Sequence, residues 1–441
     1  LRHTATDPTA TGFGGPINWV GRAAAYRTMF QQDLGTAAAG VQLLNTEFNS
    51  VSYNPSNQTT SLVNGLFAAD AIGGLLQTEY NMAIFWDLRN GYDTSHHING
   101  LYGWRSGGDY GILGDPGGTA PASGRFIPYP TYFAEQLVGK MIHTGDKVVR
   151  ITSDDTFLSV YGIQEQSNGH LMLLVINKSP TASLTGNFTL SNFKPSGAST
   201  LWQYGKTEDT AQQNTSDGHA SLTQSNPAIS FTPSGSNTLF SWAFPSYSMS
   251  VIDLTPAAPR VLSTQVNDGS AQRSMVTTLT VTFDMPVTFV GTPAAAFSLV
   301  RIGGGAVSFS AMANLINGRT VVTLSNFSGN ETQLGSLADG RYTLTALASQ
   351  ISSNTQPLDG NSDGLGGDNY TFSDAQGLFR LFGDINGDQT VNGLDLGFFR
   401  DGFGTQVGDA NYLSYLDIDG DGVINGFDLG QFRTRFGSSL P

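Results

Sequence analysis

The chain has 441 residues, a net charge of −14 from 35 acidic and 21 basic side chains, and no cysteine. That length implies several domains, roughly three or four. The acidic balance argues against nucleic acid and anionic membranes as partners, and the lack of cysteine excludes disulfides and zinc–thiolate chemistry. Only 13% of residues are charged, while glycine alone contributes 54, a composition suited to β modules joined by many tight turns.

Residues 1–145 carry an α/β rhythm. Asn18 to Leu34 reads as a helix, with Val20, Ala24, Met29 and Phe30 on related faces. Val41–Asn45 reads as a short buried parallel strand, Ser61 to Leu76 as a helix and Asn81–Trp86 as a second buried strand. A glycine-rich loop spans Asn90 to Gly124, and Pro130 to Ile142 reads as a closing helix. Strand–helix–strand–helix is the pattern of a parallel sheet or barrel, and two strands cannot close a barrel, so this segment reads as the tail of one.

Residues 146–256 alternate in period two, as in Phe157–Ile163 and Tyr247–Leu254, which predicts an antiparallel β-sandwich. Thr255–Pro259 is a linker, and 259–376 predicts a second, Ig-like β module. Near its end, Asp359-Gly-Asn361-Ser-Asp363 to Asp368 is a candidate third calcium loop. The predicted fold class is therefore multidomain, α/β plus all-β: a partial (β/α)8 barrel, two β modules and a small α-helical calcium-binding module at 378–441.

That last module is the most specific feature. Two loops 33 residues apart place oxygen donors at positions 1, 3, 5, 9 and 12, with a main-chain carbonyl at 7. They are Asp384, Asn386, Asp388, Thr390, Asn392 and Asp395, then Asp417, Asp419, Asp421, Val423, Asn425 and Asp428. This is the spacing by which a twelve-residue loop wraps a hard cation, which predicts two structural Ca2+ sites. Position 6 is Gln389 in the first loop and Gly422 in the second, so the second is expected to bind tighter. After each loop, Leu396, Phe399 and Phe403 match Leu429, Phe432 and Phe436 at helical spacing. The doubled unit resembles a dockerin of the cellulosome kind. That resemblance implies a cohesin partner, but positions 10 and 11, usually small hydroxyl residues there, are Gly393-Leu394 and Gly426-Phe427. A cohesin-like protein and a different cell-surface protein both stay open as partners.

Glu47 stands just past the first strand of the N-terminal segment, and the C-terminal ends of parallel strands carry active sites in barrels. A glutamate there can act as nucleophile or base in glycoside cleavage. Trp86 at the next strand end offers a platform for a sugar ring, with Asn45, Asp87, His96 and Trp104 as further candidate substrate contacts. Thr46-Glu47-Phe48-Asn49, the following helix and Trp86 together resemble the end of the barrel in clan A glycoside hydrolases related to α-L-arabinofuranosidases and β-xylosidases. The resemblance implies a retaining mechanism, Glu47 as nucleophile, and a polysaccharide or oligosaccharide substrate. In that clan the acid/base glutamate follows an asparagine, and the only Asn-Glu here, Asn330-Glu331, lies in the second β module. Residue 1 is Leu with no signal segment after it, which is read as a mature product or a fragment lacking its upstream part. No apolar run of about 18 residues predicts a membrane span. The expectation is a secreted or surface-bound bacterial protein: the C-terminal part of a modular glycosidase, inactive by itself, or alternatively a non-catalytic carbohydrate-binding, adhesion or anchoring protein.

Overall fold

A computed structural model describes residues 19–51, 54–95, 107–115, 126–209, 221–235 and 237–440. The chain divides into two compact units, Leu1–Pro256 and Ala257–Pro441, and most of its elements are strands.

The first unit begins with α1 (Trp19–Leu34), β1 (Leu43–Phe48), α2 (Leu62–Leu76), β2 (Tyr80–Phe85) and α3 (Pro130–Met141). The strands β1 and β2 pair in parallel, with Leu43 opposite Tyr80 and Phe48 opposite Phe85, so their C-terminal ends are level. Helix α2 starts where Ser61 caps the Asn64 amide and is apolar around most of its circumference. A helix of that kind is buried on several sides. Its Ala71 and Leu75 meet Trp19 and Phe48, while Leu62, Leu66 and Ala69 meet Phe133, Leu137 and the sheet beyond. Two glycines let it pack so closely. A β-carbon on Gly65 would lie 2.8 Å from Pro130, and one on Gly73 would lie 2.2 Å from the Tyr161 ring.

The expectation that β1 and β2 are buried does not hold. Leu44, Met82 and Ile84 are 50%, 38% and 45% exposed. Among the described residues the sheet has only these two strands, so the side chains alternating away from α2 have no layer to pack against. The first strand also runs three residues further toward the C-terminus than the reading of Val41–Asn45, placing Glu47 inside the strand rather than beyond it.

The rest of the unit consists of β3 (Lys147–Val149), β4 (Leu158–Gln164), β5 (Leu171–Asn177), β6 (Leu184–Ser191), β7 (Pro195–Gly205), β8 (Thr223–Ser225), β9 (Thr232–Ser234), β10 (Asn237–Phe244) and β11 (Ser248–Pro256). They form a six-stranded sheet in the order β3-β4-β5-β11-β7-β8 and a three-stranded sheet β6-β10-β9. Each strand pair is antiparallel. Strand β5 is buried at every position, which a simple sandwich does not require. Met172, Leu174 and Ile176 pack under α2 and α3, whereas Leu173 and Val175 face Phe240 and Phe244 of the smaller sheet. The central strands are therefore covered by helices on one side and by a sheet on the other. A buried pair stitches the helical layer down: Lys178 Nζ lies 3.3 Å from Asp70 of α2, and the Tyr161 hydroxyl donates to the same carboxylate at 2.8 Å.

In the second unit, strands Val261–Val266, Leu279–Phe283, Arg319–Ser328 and Ser308–Ile316 form one antiparallel sheet. Phe297–Arg301, Gly340–Ala346 and Tyr370–Ser373 form another. Leu279, Val281 and Phe283 alternate into the core between them, and the intervening threonines face outward. The chain then passes through Arg380 into α4 (Gly393–Gly402) and α5 (Gly426–Arg435). Phe399 and Phe432 from these helices meet with ring centroids 4.7 Å apart and planes tilted by 36° at the centre of a small separate core. Arg380 is fully buried and ion-paired at 2.6 Å with Asp339, which also holds Arg435 of α5 at 2.5 Å. Burial pulls the Arg380 guanidinium down to about 10.

Candidate functional sites

Two places in the chain concentrate chemistry. The first lies at the C-terminal ends of β1 and β2. The Trp86 amide donates to the Phe48 carbonyl at 3.0 Å, continuing the ladder one step past the strands. The Asn49 side chain donates to the Trp86 carbonyl at 2.6 Å and to the Tyr110 carbonyl at 3.3 Å, and it accepts from Asn64 of α2 at 3.2 Å. One asparagine thus fixes both strand ends and the incoming 107–115 segment relative to α2. The Trp86–Asp87 peptide bond is cis.

These ends, with α1, line an open cavity of about 690 Å3. Glu47, Asn45 and Trp86 reach it, together with Arg22, Tyr26 and Tyr110. The Asn45 side-chain nitrogen and the Tyr110 hydroxyl are buried and have no hydrogen-bond partner among the described residues. Glu47 is exposed, and it is the sole acid among the described residues lining the cavity. Asp87 does not line it. Its amide and carbonyl pair with Tyr110 and Ile112, its carboxyl faces Asn90, and burial raises its pKa. His96 and Trp104 lie outside the described residues.

Sequence reasoning missed Tyr110, Arg22 and Tyr26, which only tertiary structure brings to Glu47. It also missed Asp109, buried under the same loop. Asp109 accepts from the Gly111 amide at 2.8 Å and from Tyr129 at 3.4 Å, yet burial still pushes its carboxyl up to about 6. The one local signal was Gly107-Gly108: a β-carbon on Gly108 would lie 2.1 Å from the Pro55 carbonyl, so the loop must be glycine there to pass. Two other acids are committed elsewhere. Glu79, at the opposite end of β2, pairs with Arg27 of α1 at 2.6 Å. Glu331 pairs with Arg301 at 2.9 Å and accepts from the Gly305 amide.

The second place is the doubled loop. In the first loop Asp384 accepts from the amides of Gly387, Asp388 and Gln389, Asn386 from that of Asp388, and Asp388 from that of Thr390. In the second loop Asp417 accepts from Gly420 and Gly422, Asp419 from Asp421, and Asp421 from Val423. Asp395 and Asp428 close the loops. Each accepts two main-chain amides and completes a capping box with Asn392 or Asn425 at the start of α4 or α5. Asp384, Asp395, Asp417 and Asp428 are all buried, and burial raises Asp384 to about 6. One carboxylate oxygen from each of Asp417, Asp419 and Asp421 lies within 4.8 Å of the others. Carboxylates converging on a point with no lysine or arginine among them are the donor set of an oxygen-coordinated cation. Val423 and Thr390 stand at the position that supplies a carbonyl.

Residues 382–435 match the family described as dockerin type I domain. They form such a domain. Dockerin type I domains bind calcium, which agrees with the donor set of both loops, and they bind cohesins.

No curated protein matches the chain significantly. Solved structures similar to it include an α-L-arabinofuranosidase from Thermotoga maritima in complex with arabinose. It is 16% identical, covers 53% of this chain and 47% of its own, and has a TM-score of 0.37. A Paenibacillus polymyxa xyloglucanase from glycoside hydrolase family 44 is 20% identical, covering 57% of this chain and 39% of its own at a TM-score of 0.35. A bifunctional glucanase-xylanase from a metagenome library is 17% identical, covering 57% and 37% at a TM-score of 0.36. The chain spans less than half the length of these structures. Among the described residues no helix is long and apolar enough to cross a membrane.

A third acidic loop reproduces the dockerin geometry outside the matched residues. Asp359 accepts from the amides of Asp363 and Gly364, Asn361 from that of Asp363, and Asp363 from that of Leu365. Positions 4 and 6 take positive φ in all three loops: Gly387 and Gln389 at 75° and 69°, Gly420 and Gly422 at 69° and 88°, Ser362 and Gly364 at 64° and 96°.

Proposed function

We propose that this chain is the C-terminal part of a secreted, modular, retaining glycoside hydrolase that ends in a calcium-bound dockerin. In this reading residues 1–145 belong to a (β/α)8 barrel, 146–256 are a β-sandwich packed on it, 259–376 an Ig-like module, and 378–441 the dockerin region. The observation that carries it is the placement of Glu47 and Trp86 at the level ends of two parallel strands, on one cavity, in a chain that terminates in a dockerin type I domain.

The chemistry follows from the geometry. Glu47 on the cavity is placed to attack an anomeric carbon. Trp86, 42% exposed, offers a flat apolar face to a sugar ring, and Asn45 and Tyr110 line the same cavity. Retaining cleavage needs a second carboxyl about 5–5.5 Å from the first to protonate the leaving group. That acid/base is supplied by barrel strands beyond the described residues, the same strands that would cover Leu44, Met82 and Ile84. Among the described residues no second acid lines the cavity, so in this reading the chain alone does not hydrolyse glycosides whose leaving group needs a proton. Turnover of unactivated aryl arabinosides or xylosides by these 441 residues would overturn that statement.

The dockerin region holds two structural Ca2+ ions, in 384–395 and 417–428, and the β module holds a third in 359–368. The partner is a cohesin-like or other cell-surface protein, met by a face on which Leu394 and Phe427 are exposed where small hydroxyls are usual.

A second reading has its own observation. Because Glu47 is the one acid lining the described cavity, the site would also suit glycan binding without turnover. Saturable oligosaccharide binding that is unchanged in Glu47→Gln, with no covalent chemistry, would favour that reading.

A further inference from the structure

We propose that His143, Asp146 and Glu165 form a zinc site that clamps the exit of α3 to the turn between β4 and β5. The site is separate from the Glu47 cavity and from all three acidic loops.

Its three donors come from two segments. Helix α3 ends at Met141, and the chain turns back through His143-Thr-Gly-Asp146, with Gly145 at φ 95° and the Asp146 amide donating to the His143 carbonyl. The turn Glu165–Gly169 joins β4 to β5, closed by the Gly169 amide on the Glu165 carbonyl. Asp146 bridges the segments, because it accepts from the His143 amide at 2.8 Å and from the Gln166 amide at 3.0 Å.

Those hydrogen bonds aim the carboxylates. The Asp146 oxygen nearer the ring, Oδ2, stands 3.5 Å from His143 Nδ1, and Glu165 Oε1 stands 3.1 Å from the same nitrogen. The second Glu165 oxygen is held by Asn168 at 2.6 Å. One donor atom from each of the three residues lies within 4.8 Å of the others. In tetrahedral zinc with bonds of about 2.0–2.2 Å, neighbouring donors sit about 3.3–3.5 Å apart, which both measured separations approach. The Asp146 and Glu165 side chains are 5% and 9% exposed, and neither has a lysine or arginine within ion-pair distance among the described residues. Two such carboxylates facing one imidazole nitrogen gain most from a divalent ion between them. The imidazole selects against calcium, which takes oxygen donors, and toward zinc. The His143 ring is 59% exposed, so water can enter as the fourth ligand.

The site gives a fold without cysteine a cross-link of its own. It fastens the helical layer to the sheet it covers, at the opposite end of β5 from Lys178.

The test uses the full chain saturated with calcium, so that the acidic loops are filled, and Co2+ as a spectroscopic stand-in for zinc. The expected result is one Co2+ per chain with the intense visible bands of tetrahedral coordination, displaced by stoichiometric Zn2+, and a melting temperature of the first unit raised by zinc. His143→Gln and Glu165→Gln should lose the bands. Asn168→Ala, which leaves every ligand in place, should weaken zinc binding by about tenfold or more through the loosened glutamate. Each variant should melt like the wild type when zinc is removed, which separates metal loss from misfolding. Wild-type protein with no tetrahedral Co2+ spectrum, or a spectrum that persists in His143→Gln, would overturn the proposal.

Discussion

Replacing Gln389 by glycine should tighten calcium binding at the first dockerin loop. Gln389 occupies position 6 at φ 69°, in the left-handed region where a side chain costs about 1–2 kcal/mol. Glycine removes that strain, but its greater freedom in the unbound loop offsets about 0.5–1 kcal/mol. The net gain is about 0.5–1 kcal/mol, or roughly two- to fivefold in affinity. The rest of the loop is held independently of position 6. The Arg273 amide donates to the Asp384 carbonyl at 2.9 Å, and Gly387 sits so close to the Ala271 carbonyl that a β-carbon would approach it to 2.2 Å. The substitution therefore isolates the turn itself. Gly422→Gln, at φ 88°, should weaken the second loop by a similar factor. Calorimetric calcium titration of the full chain measures both, and the wild-type second site should be the tighter one. Unchanged or weaker binding in Gln389→Gly would refute the reasoning that backbone strain sets the difference between the loops.

Three further outcomes are expected. Asp70→Ala leaves Lys178 charged and unpaired between α2 and the sheet, so the first unit should lose about 3–5 kcal/mol in urea unfolding, and the double variant Asp70→Ala, Lys178→Met should recover a large part of it. Asp109 has a raised native pKa, about 6 against about 4 when unfolded, so its contribution favours folding fully below pH 4 and is lost as pH rises through 6. Asp109→Asn should then flatten the urea midpoint between pH 4 and pH 8, with a difference from wild type of order 2–3 kcal/mol that is absent if the carboxyl titrates normally. Equilibrium dialysis should count three bound Ca2+ in the wild type and two in Asp359→Ala; two in both would remove the third site.

The dockerin region was the most legible part of the chain because its evidence is local. Ligand spacing and the Leu396/Phe399 repeat lie within a few turns of backbone. The helices Ser61–Leu76 and Pro130–Ile142 were legible for the same reason, from apolar spacing and from Ser61 and Pro130 at their starts. Burial of β1 and β2 was misread because apolar runs report what a strand is built to pack against, and among the described residues no layer covers Leu44, Met82 and Ile84. Strand β5 carried the opposite ambiguity. Six apolar residues in a row serve two cores at once, and only the positions of α2 and α3 reveal the second. At the cavity, Glu47 and Trp86 were visible at strand ends, whereas Tyr110 and Arg22 arrive from segments far along the chain in either direction. The His143 cluster left no motif, since its ligands are split between a turn and a hairpin.

The central claim is that Glu47 is the nucleophile of a retaining glycosidase. The measurement that tests it most directly is covalent trapping with 2,4-dinitrophenyl 2-deoxy-2-fluoro glycosides of arabinofuranose, xylose and glucose, followed by peptide mapping. Their leaving group departs without a proton, so trapping needs no general acid. The account predicts a single sugar adduct on the peptide containing Glu47, lost in Glu47→Gln. No adduct from any of the three sugars, or an adduct that survives Glu47→Gln, would contradict it.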